Sequence, residues 1–277
     1  MKKFRKLTAL IMAGTMLASL CACSKDSSKG LSAGGGIDTE ARVKPTTSYT
    51  SKEDIDALLA ELFPNTEYSS GYSDQREHRD NSYEEYFYER EYEGVVNSEF
   101  SGTIKVDGDD ITIYSTSFKD LEAMGWNYEN PADKEVVLTR HGHDEYNFLN
   151  ESGKVAKFGC NSRDKEQEYR DEIIVGEEGL VSYVDLNRYE YDDAGNLRKL
   201  DSAATFEMDG NINHNSTLED VLQKYGSPYF LSLVVYENHT YVWFRYFENG
   251  HVDRGVDCVE FYFDGEENRL YRVDIDD

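Results

Sequence analysis

Residues 210–228, with the sequence GNINHNSTLEDVLQKYGSP, are typical of a short helix with a marked beginning and end. Thr217 is followed three residues later by Asp220, which is the spacing of a helix N-cap. Apolar residues then recur at helical spacing, Gly226 closes the helix, and Pro228 prevents its continuation. The stretch therefore predicts one short capped helix.

The chain after this helix reads as a series of strands. VVYENHTYVWFRYF at residues 234–247 and VEFYFDGEENRLYRVDI at residues 259–275 are rich in β-branched and aromatic residues. Turn signals such as Asn249-Gly250 and Asp264-Gly265 separate strands predicted at residues 229–236, 241–247, 256–263 and 270–275. Neighbouring strands with such short turns form antiparallel sheet.

The same order of features occurs about a hundred residues earlier. Asp107-Gly108, then Ser117 with Asp120, then Gly125 correspond to Asp209-Gly210, Thr217 with Asp220, and Gly226. Strands are predicted after this first helix as well, at residues 135–139, 146–149, 155–160, 172–175 and 181–191. The matched order favours a duplication and predicts an α+β fold of two tandem modules, each a short capped helix packed on an antiparallel sheet.

An N-terminal helix is predicted ahead of the two modules. Ser51 and Asp54 form a capping box, apolar residues follow at spacings of three and four, and Pro64 ends the helix. Residues 67–93 are dense in Tyr and acids without a clear period, and we expect them to be irregular, with some helix around 83–92.

The chain begins with the features of a bacterial lipoprotein signal peptide. A positive start and an apolar run to Leu20 precede Cys21, Ala22 and Cys23, so Cys23 is the predicted lipidation site, carrying acyl chains such as palmitate. A plain secretory signal or an uncleaved anchor is the alternative, although the apolar run is short for a membrane span.

The sequence thus predicts five segments. They are a signal peptide at residues 1–22, a flexible tether at 23–50, the N-terminal helix and acidic Tyr-rich segment at 51–94, a first α+β module at 95–201 and a second at 202–277. Removal of residues 1–22 takes away four basic and no acidic residues, so the net charge falls from −26 to −30. Such a charge repels nucleic acids and anionic lipid headgroups, and it favours cationic partners, divalent cations or simple solubility.

No pattern in the sequence identifies a catalytic or metal centre. His141 and His143 lie beside Asp144 and Glu145, and acids cluster in segments 107–110 and 192–196, but each pattern is explained by a polar turn. No Gly-x-Ser-x-Gly elbow or phosphate-binding glycine loop is present. The prediction is therefore a protein that is not an enzyme and has no cofactor and no metal.

Two cysteines follow the signal region, at Cys160 and Cys258. A disulfide between them is permitted outside the cytoplasm, but both lie in apolar, strand-like segments. Two buried free thiols are the favoured interpretation.

Aromatic side chains form the candidate binding surface. In a strand, Tyr241, Trp243 and Arg245 share one face, opposite the face of Val242, Phe244 and Tyr246. With Tyr236 across the hairpin, they are a predicted partner-binding patch, because Tyr, Trp and Arg are enriched at interface hot spots. The alternative is that Trp243 belongs to the core.

The capped helix ending in Gly-x-Pro, followed by the hairpin and the closing strands, resembles the helix-then-meander repeat of beta-lactamase inhibitory protein and of the SmpA/OmlA outer-membrane lipoproteins. It is also similar to modules in lipoproteins of Gram-positive gut bacteria. The resemblance covers residues 206–277 well and 100–200 loosely, with Gly125-Trp126 where Gly-x-Pro is expected. It implies a protein that binds other proteins or assembles envelopes without catalysis.

Together these observations predict a lipoprotein anchored at the extracytoplasmic face of the cell membrane. It would act as a protein-binding or envelope-interaction module, with an extracytoplasmic protein as partner, membrane contact through the lipid anchor only, and no nucleic acid. The alternative is a lipid-anchored hydrolase of wall glycans, which the abundance of acids leaves open.

Overall fold

A computed structural model describes residues 47–74, 82–90, 103–164, 166, 168–208, 211–247 and 258–276. All of these residues belong to one compact unit of the chain, residues 42–277. The helices are α1 (Lys52–Leu62), α2 (Phe118–Ala123), α3 (Val175–Glu178) and α4 (Leu218–Tyr225), with a 3₁₀ helix at Pro131–Glu135.

Strands make up much of the described chain. The first nine are β1 (Tyr68–Asp74), β2 (Tyr83–Arg90), β3 (Thr103–Val106), β4 (Asp109–Thr112), β5 (Asn127–Tyr128), β6 (Val137–Thr139), β7 (His143–Leu149), β8 (Val155–Asn161) and β9 (Glu172–Ile174). The other nine are β10 (Tyr183–Asn187), β11 (Tyr189–Tyr191), β12 (Leu197–Lys199), β13 (Phe206–Met208), β14 (Ile212–Asn213), β15 (Phe230–Tyr236), β16 (Thr240–Phe247), β17 (Cys258–Asp264) and β18 (Arg269–Asp276).

A ten-stranded sheet dominates the fold, in the order β1-β2-β15-β16-β17-β18-β10-β8-β7-β5. Every pair of neighbouring strands in it is antiparallel. The eight strands from β15 to β5 are arranged symmetrically about the β18–β10 pair, since β8, β7 and β5 lie outward from β10, and β17, β16 and β15 lie outward from β18. β1 and β2 extend the sheet on the β15 side only. The fold is mostly antiparallel sheet with few helices, which agrees with the predicted α+β class at this general level.

The two hairpins that precede α2 and α4 form a second sheet together. Its order is β14-β13-β3-β4, and β13 pairs with β3 in antiparallel fashion. The turn predicted at Asp107-Gly108 joins β3 to β4, with both residues at positive φ. The Asp107 carboxylate also accepts bonds from the Thr205 backbone N–H and hydroxyl, which lie next to β13.

Three helices begin at capping boxes that the sequence indicates. Ser51 with Asp54, Ser117 with Asp120, and Thr217 with Asp220 each exchange side-chain to backbone hydrogen bonds. α1 ends before Pro64, and Gly226 caps α4 with φ of 81°. These helix boundaries confirm the sequence predictions.

The prediction for residues 67–93 is wrong where the structure describes them. β1 and β2 form a regular antiparallel pair there, with no helix at residues 83–90. Each of the two faces of β2 mixes aromatic and charged residues, so the apolar alternation of a typical strand is missing.

The folded body also includes residues before α1. Tyr49 is 5% exposed, its backbone N–H donates to the carbonyl of Gly265, and its hydroxyl bonds to Glu219. This residue falls in the segment that the sequence assigns to a flexible tether. The rest of that segment up to Thr46, and the signal peptide, lie outside the described residues.

The core lies on one face of the large sheet. Helices α1, α2 and α4 and the four-stranded sheet pack there against Phe158, Val184, Phe244, Phe261 and Val273. We call the opposite side of the ten-stranded sheet the front face. Within the described residues, no helix is long and apolar enough to span a membrane.

No disulfide joins Cys160 and Cys258, which are both among the described residues. Cys160 is buried, as predicted, and burial raises its pKa to about 12 with a further contribution from Asp144. Cys258 lies on a partly exposed position of β17, so the prediction of burial is wrong for this residue.

Candidate functional site

The predicted patch lies on the front face, where β15 and β16 form a hairpin. Val242, Phe244 and Tyr246 point to the core and are at most 2% exposed. Tyr241, Trp243 and Arg245 alternate with them and remain partly exposed. The predicted division of β16 into two faces is confirmed, and Trp243 is not a fully buried core residue.

Trp243 sits in a row of aromatic side chains that crosses three strands. Its ring lies 4.9 Å from that of Phe230 on β15 and 5.9 Å from that of Tyr262 on β17, the latter nearly parallel at 15°. The Arg245 guanidinium lies 5.5 Å from the centre of the Trp243 ring, in a cation–π contact. These neighbours hold the indole in place without burying it completely.

Tyr236 joins the patch from the neighbouring strand, as predicted. Its ring is 6.1 Å from Tyr241 and 4.5 Å from His239, which lies in the hairpin turn. The ring of Tyr83 on β2 approaches Tyr236 to 5.4 Å. Burial raises the pKa values of Tyr236 and Tyr241 above the ordinary value for tyrosine.

Arg245 is fixed by an acidic partner on the next strand. Glu260 is its cross-strand neighbour, and the Glu260 Oε1 atom accepts from Arg245 Nε at 2.7 Å. Glu260 also accepts a bond of 2.5 Å from the Tyr262 hydroxyl, so one carboxylate orients both an Arg and a Tyr of the front face. The Arg245 guanidinium is still partly exposed, and it lies over the Trp243 ring.

A network of ion pairs continues the front face at the centre of the sheet. Asp185 on β10 lies directly opposite Asp274 on β18, and both are less than 10% exposed. Arg272 Nη2 contacts Asp274 at 2.6 Å, and Arg272 Nε lies 3.4 Å from Asp185. Lys157 reaches Asp185 at 3.2 Å from the other side. Burial raises the pKa of Asp274, the facing Asp185 raises it further, and Arg272 acts in the opposite direction.

Several members of this surface were not predicted from the sequence. Phe230, Glu260, Tyr262, Arg272 and Asp274 alternate with buried residues along their own strands, which is the signal that could have identified them. Their assembly into one row depends on the pairing of β15, β16, β17 and β18.

The acidic and histidine motifs lie in turns or at strand ends. His141 has φ of 67° and packs its ring 4.2 Å from Tyr169, whereas His143 begins β7. The Asp192 carboxylate accepts backbone bonds from Ala194 and Asn196 in the β11–β12 turn. Among the described residues, no group of three or more His, Cys, Asp or Glu side chains is arranged to hold a metal ion.

The predicted lipidation site, Cys23, lies outside the described residues. Comparison of the chain with protein-family models, with curated proteins and with solved structures finds no match in any of the three. The resemblance to helix-then-meander repeats therefore stays a prediction from the sequence.

Proposed function

We propose that this protein is a membrane-anchored lipoprotein that binds an extracytoplasmic protein through its front face. The observation that carries the proposal is the partly exposed row of Phe230, Trp243 and Tyr262 with Arg245 stacked at its side. Surface side chains of these types supply most of the binding energy in protein interfaces.

The geometry of the row suits recognition because its side chains are already ordered. Glu260 holds Arg245 and Tyr262, while the rings beside Trp243 restrict its rotamers. A partner would then bind without a large loss of side-chain entropy, which is a main cost of association.

Charge favours a partner with basic groups on its contacting surface. Glu85 and Glu89 on β2 flank the aromatic row, and Ser232 donates to Glu85 at 2.7 Å. These acids belong to a chain with a net charge of −26. Electrostatic complementarity of this kind speeds association and selects among partners.

We further propose that the fold consists of two tandem modules related by an approximate two-fold axis between β10 and β18. The sequence Val184-Asp185-Leu186 corresponds to Val273-Asp274-Ile275. Asp185 pairs with Asp274, Val184 with Ile275, and Leu186 with Val273, which is the reciprocal pairing that a two-fold axis requires. The symmetric strand order and the pairing of β3 with β13 support the same axis.

The proposed binding function can be tested by capture from a membrane extract of the producing cells. Wild-type protein, Trp243→Ala and Arg245→Glu would be compared with Lys119→Glu, an equal charge change at an exposed position of α2. We expect a protein retained by the wild type and by Lys119→Glu to be lost from both front-face variants. Equal retention by all four proteins would contradict binding through this row.

The alternative, a wall-glycan hydrolase, draws support from the two facing carboxylates Asp185 and Asp274. Both lie within 3.4 Å of Arg272, an arrangement more typical of a structural cluster around one guanidinium than of an acid and base flanking a substrate. The test is the release of soluble sugar fragments from purified cell walls. If the wild type released fragments and both Asp185→Asn and Asp274→Asn did not, the hydrolase function would replace the binding proposal.

A further inference from the structure

The outer edge of β7 is paired along only part of its length. β5 covers Phe148 and Leu149, and the Glu129 N–H donates to the carbonyl of Asn147 at 2.9 Å. The chain then leaves the sheet through the 3₁₀ helix Pro131–Glu135. Among the described strands, residues 143–146 of β7 have only β8 as a neighbour.

The backbone of β7 shows which groups point to this edge. The backbone groups of even-numbered residues form hydrogen bonds toward β8. The Asn150 N–H donates to the Lys154 carbonyl, and the Gly142 carbonyl accepts from the Ser162 N–H. Backbone groups alternate in direction along a strand, so those of His143 and Glu145 point outward, like those of Asn147. The Glu145 N–H bonds to the Asp144 carboxylate at 2.9 Å, an intrastrand contact that an added strand can replace.

The other half of the sheet shows that this position accommodates a full strand. β16 occupies the place corresponding to β7 in the symmetric strand order, and β15 pairs with it at six successive positions, from Phe230 to Val235. β5 occupies the place of β15 but has only two residues. Within the described residues, the edge of β7 is therefore paired at fewer positions than the corresponding edge of β16.

A polar cleft of about 510 Å³ lies where that strand would run. Its lining residues are Glu129, Asn130, Asp133, His143, Asp144, Glu145, Tyr146, Asn147 and Lys157. The four carboxylates outnumber the single lysine, and Lys157 is already paired with Glu145 and Asp185 at 3.2 Å each. The cleft is therefore negatively charged and attracts basic side chains.

We propose that the edge of β7 binds an extended, Lys- or Arg-containing peptide segment as an added strand. Backbone bonds to His143 and Glu145 would hold the segment, and Glu129, Asp133, Asp144 and Glu145 would select its basic side chains. Addition to a sheet edge is a common mode of peptide recognition, in which main-chain bonds supply affinity and alternate side chains supply specificity.

The test uses the purified protein and fluorescently labelled peptides of eight residues. The first alternates Lys and Val, the second alternates Glu and Val, and the third is the Lys–Val peptide with alternate backbone amides methylated. We expect the second and third to bind at least about tenfold more weakly by fluorescence anisotropy, because the second loses the charge pairs and the third loses the backbone hydrogen bonds.

Variants of the protein separate the backbone bond from the charge. Glu145→Pro removes the outward N–H without removing a bond to β8, whereas Glu145→Gln removes only the charge. Glu151→Gln, in the turn after β7, is the matched control. We expect Glu145→Pro to weaken binding of the Lys–Val peptide about tenfold, Glu145→Gln to weaken it less, and the control to bind as wild type.

Several outcomes would overturn the proposal. They are equal affinity of the methylated and unmethylated peptides, equal affinity of Glu145→Pro and wild type, or a Lys–Val dissociation constant weaker than about 1 mM. If Glu145→Pro fails to fold by circular dichroism, the methylated peptide still tests the same bonds on the wild-type protein.

Discussion

Trp243 and Phe244 are neighbours in β16, yet their side chains lie in different environments. Phe244 is fully buried, with ring contacts to Tyr246, Phe261 and Phe263 on the core side. Trp243 lies on the front face and remains partly exposed. The two residues therefore distinguish a surface role from a core role within one strand.

We expect Phe244→Ala to lower the free energy of unfolding by about 3–5 kcal/mol, since it leaves a cavity in the core. Trp243→Ala should cost about 1–2 kcal/mol, because the lost ring contacts are only partly shielded from water. Urea titrations of both variants measure the difference. A Trp243→Ala midpoint as low as that of Phe244→Ala would make Trp243 a core residue and remove the basis of the proposed binding row.

The buried carboxylate of Asp274 should make stability depend on pH. Its ordinary pKa is 3.8, and burial with the facing Asp185 raises the value in the folded chain to about 8. Between these values the folded protein binds a proton that the unfolded chain releases. The resulting stabilisation is complete below about pH 4 and is lost as the pH rises toward 8.

Asp274→Asn removes this titration. We expect the unfolding midpoint of the wild type to fall relative to that of Asp274→Asn as the pH rises from 4 to 8, measured by urea titration at several pH values. Parallel curves over this range would show that the Asp274 pKa does not differ between the folded and unfolded chains.

At the scale of single elements, the short helices depend on their caps. α4 has eight residues and is too short to be stable alone, so its N-terminal hydrogen bonds and its packing determine whether it forms. The Thr217 side chain accepts from the Asp220 N–H, and the Thr217 N–H donates to the Asp220 carboxylate.

We expect Thr217→Ala to lower the free energy of unfolding by about 1 kcal/mol through loss of this cap. Thr217→Ser keeps the capping oxygen and is the control, which should stay close to wild type in thermal or urea unfolding. Equal losses in the two variants would assign the effect to the Thr methyl group and not to the cap.

β1 and β2 show where element prediction from the sequence failed. Only Tyr88 of β2 is fully buried, and Tyr86 on the same face bonds to Glu84. Phe87, on the other face, lies over Gly71 of β1 so closely that a Cβ atom there would be 2.1 Å from its ring. β1 and β2 pair with each other, and β2 also pairs with β15, so these strands are specified by contacts that a short window of sequence does not contain.

At the scale of the whole molecule, the second predicted module shares strand pairs with the rest of the chain. β15 pairs with β2, β18 pairs with β10, and β13 pairs with β3. A fragment of residues 202–277 keeps α4 and four long strands, which is close to the smallest set that closes a core.

We expect this fragment to unfold cooperatively but at a lower urea concentration than the full chain, because it loses its neighbours on both sides. Circular dichroism during urea titration measures both properties. A fragment without a cooperative transition would show that the module is not an independent folding unit.

Anchoring also concerns the molecule as a whole. We expect Cys23→Ala to abolish membrane attachment, because two lipid chains are lost and each buried methylene contributes about 0.8 kcal/mol. Cys21→Ala is the matched control and should fractionate as wild type. A Cys23→Ala protein that stays with the membrane after a salt wash would refute the lipoprotein assignment.

The sequence by itself determined the features that depend on residues close together in the chain. The caps of α1, α2 and α4, the turn at Asp107-Gly108 and the two faces of β16 were all predicted. Each depends on a hydrogen bond over three residues, a backbone angle or a period of two, so a short window contains the whole cause.

Only the tertiary structure decided which strands lie side by side. Alternation tells which side of a strand is buried, but it does not tell which strand is its neighbour, because pairing depends on contacts between distant residues. The row of Phe230, Trp243 and Tyr262, the facing pair Asp185 and Asp274, and the partly paired edge of β7 all arise from such pairing. The candidate residues on β15 and β16 were therefore predictable, whereas the surfaces that they join were not.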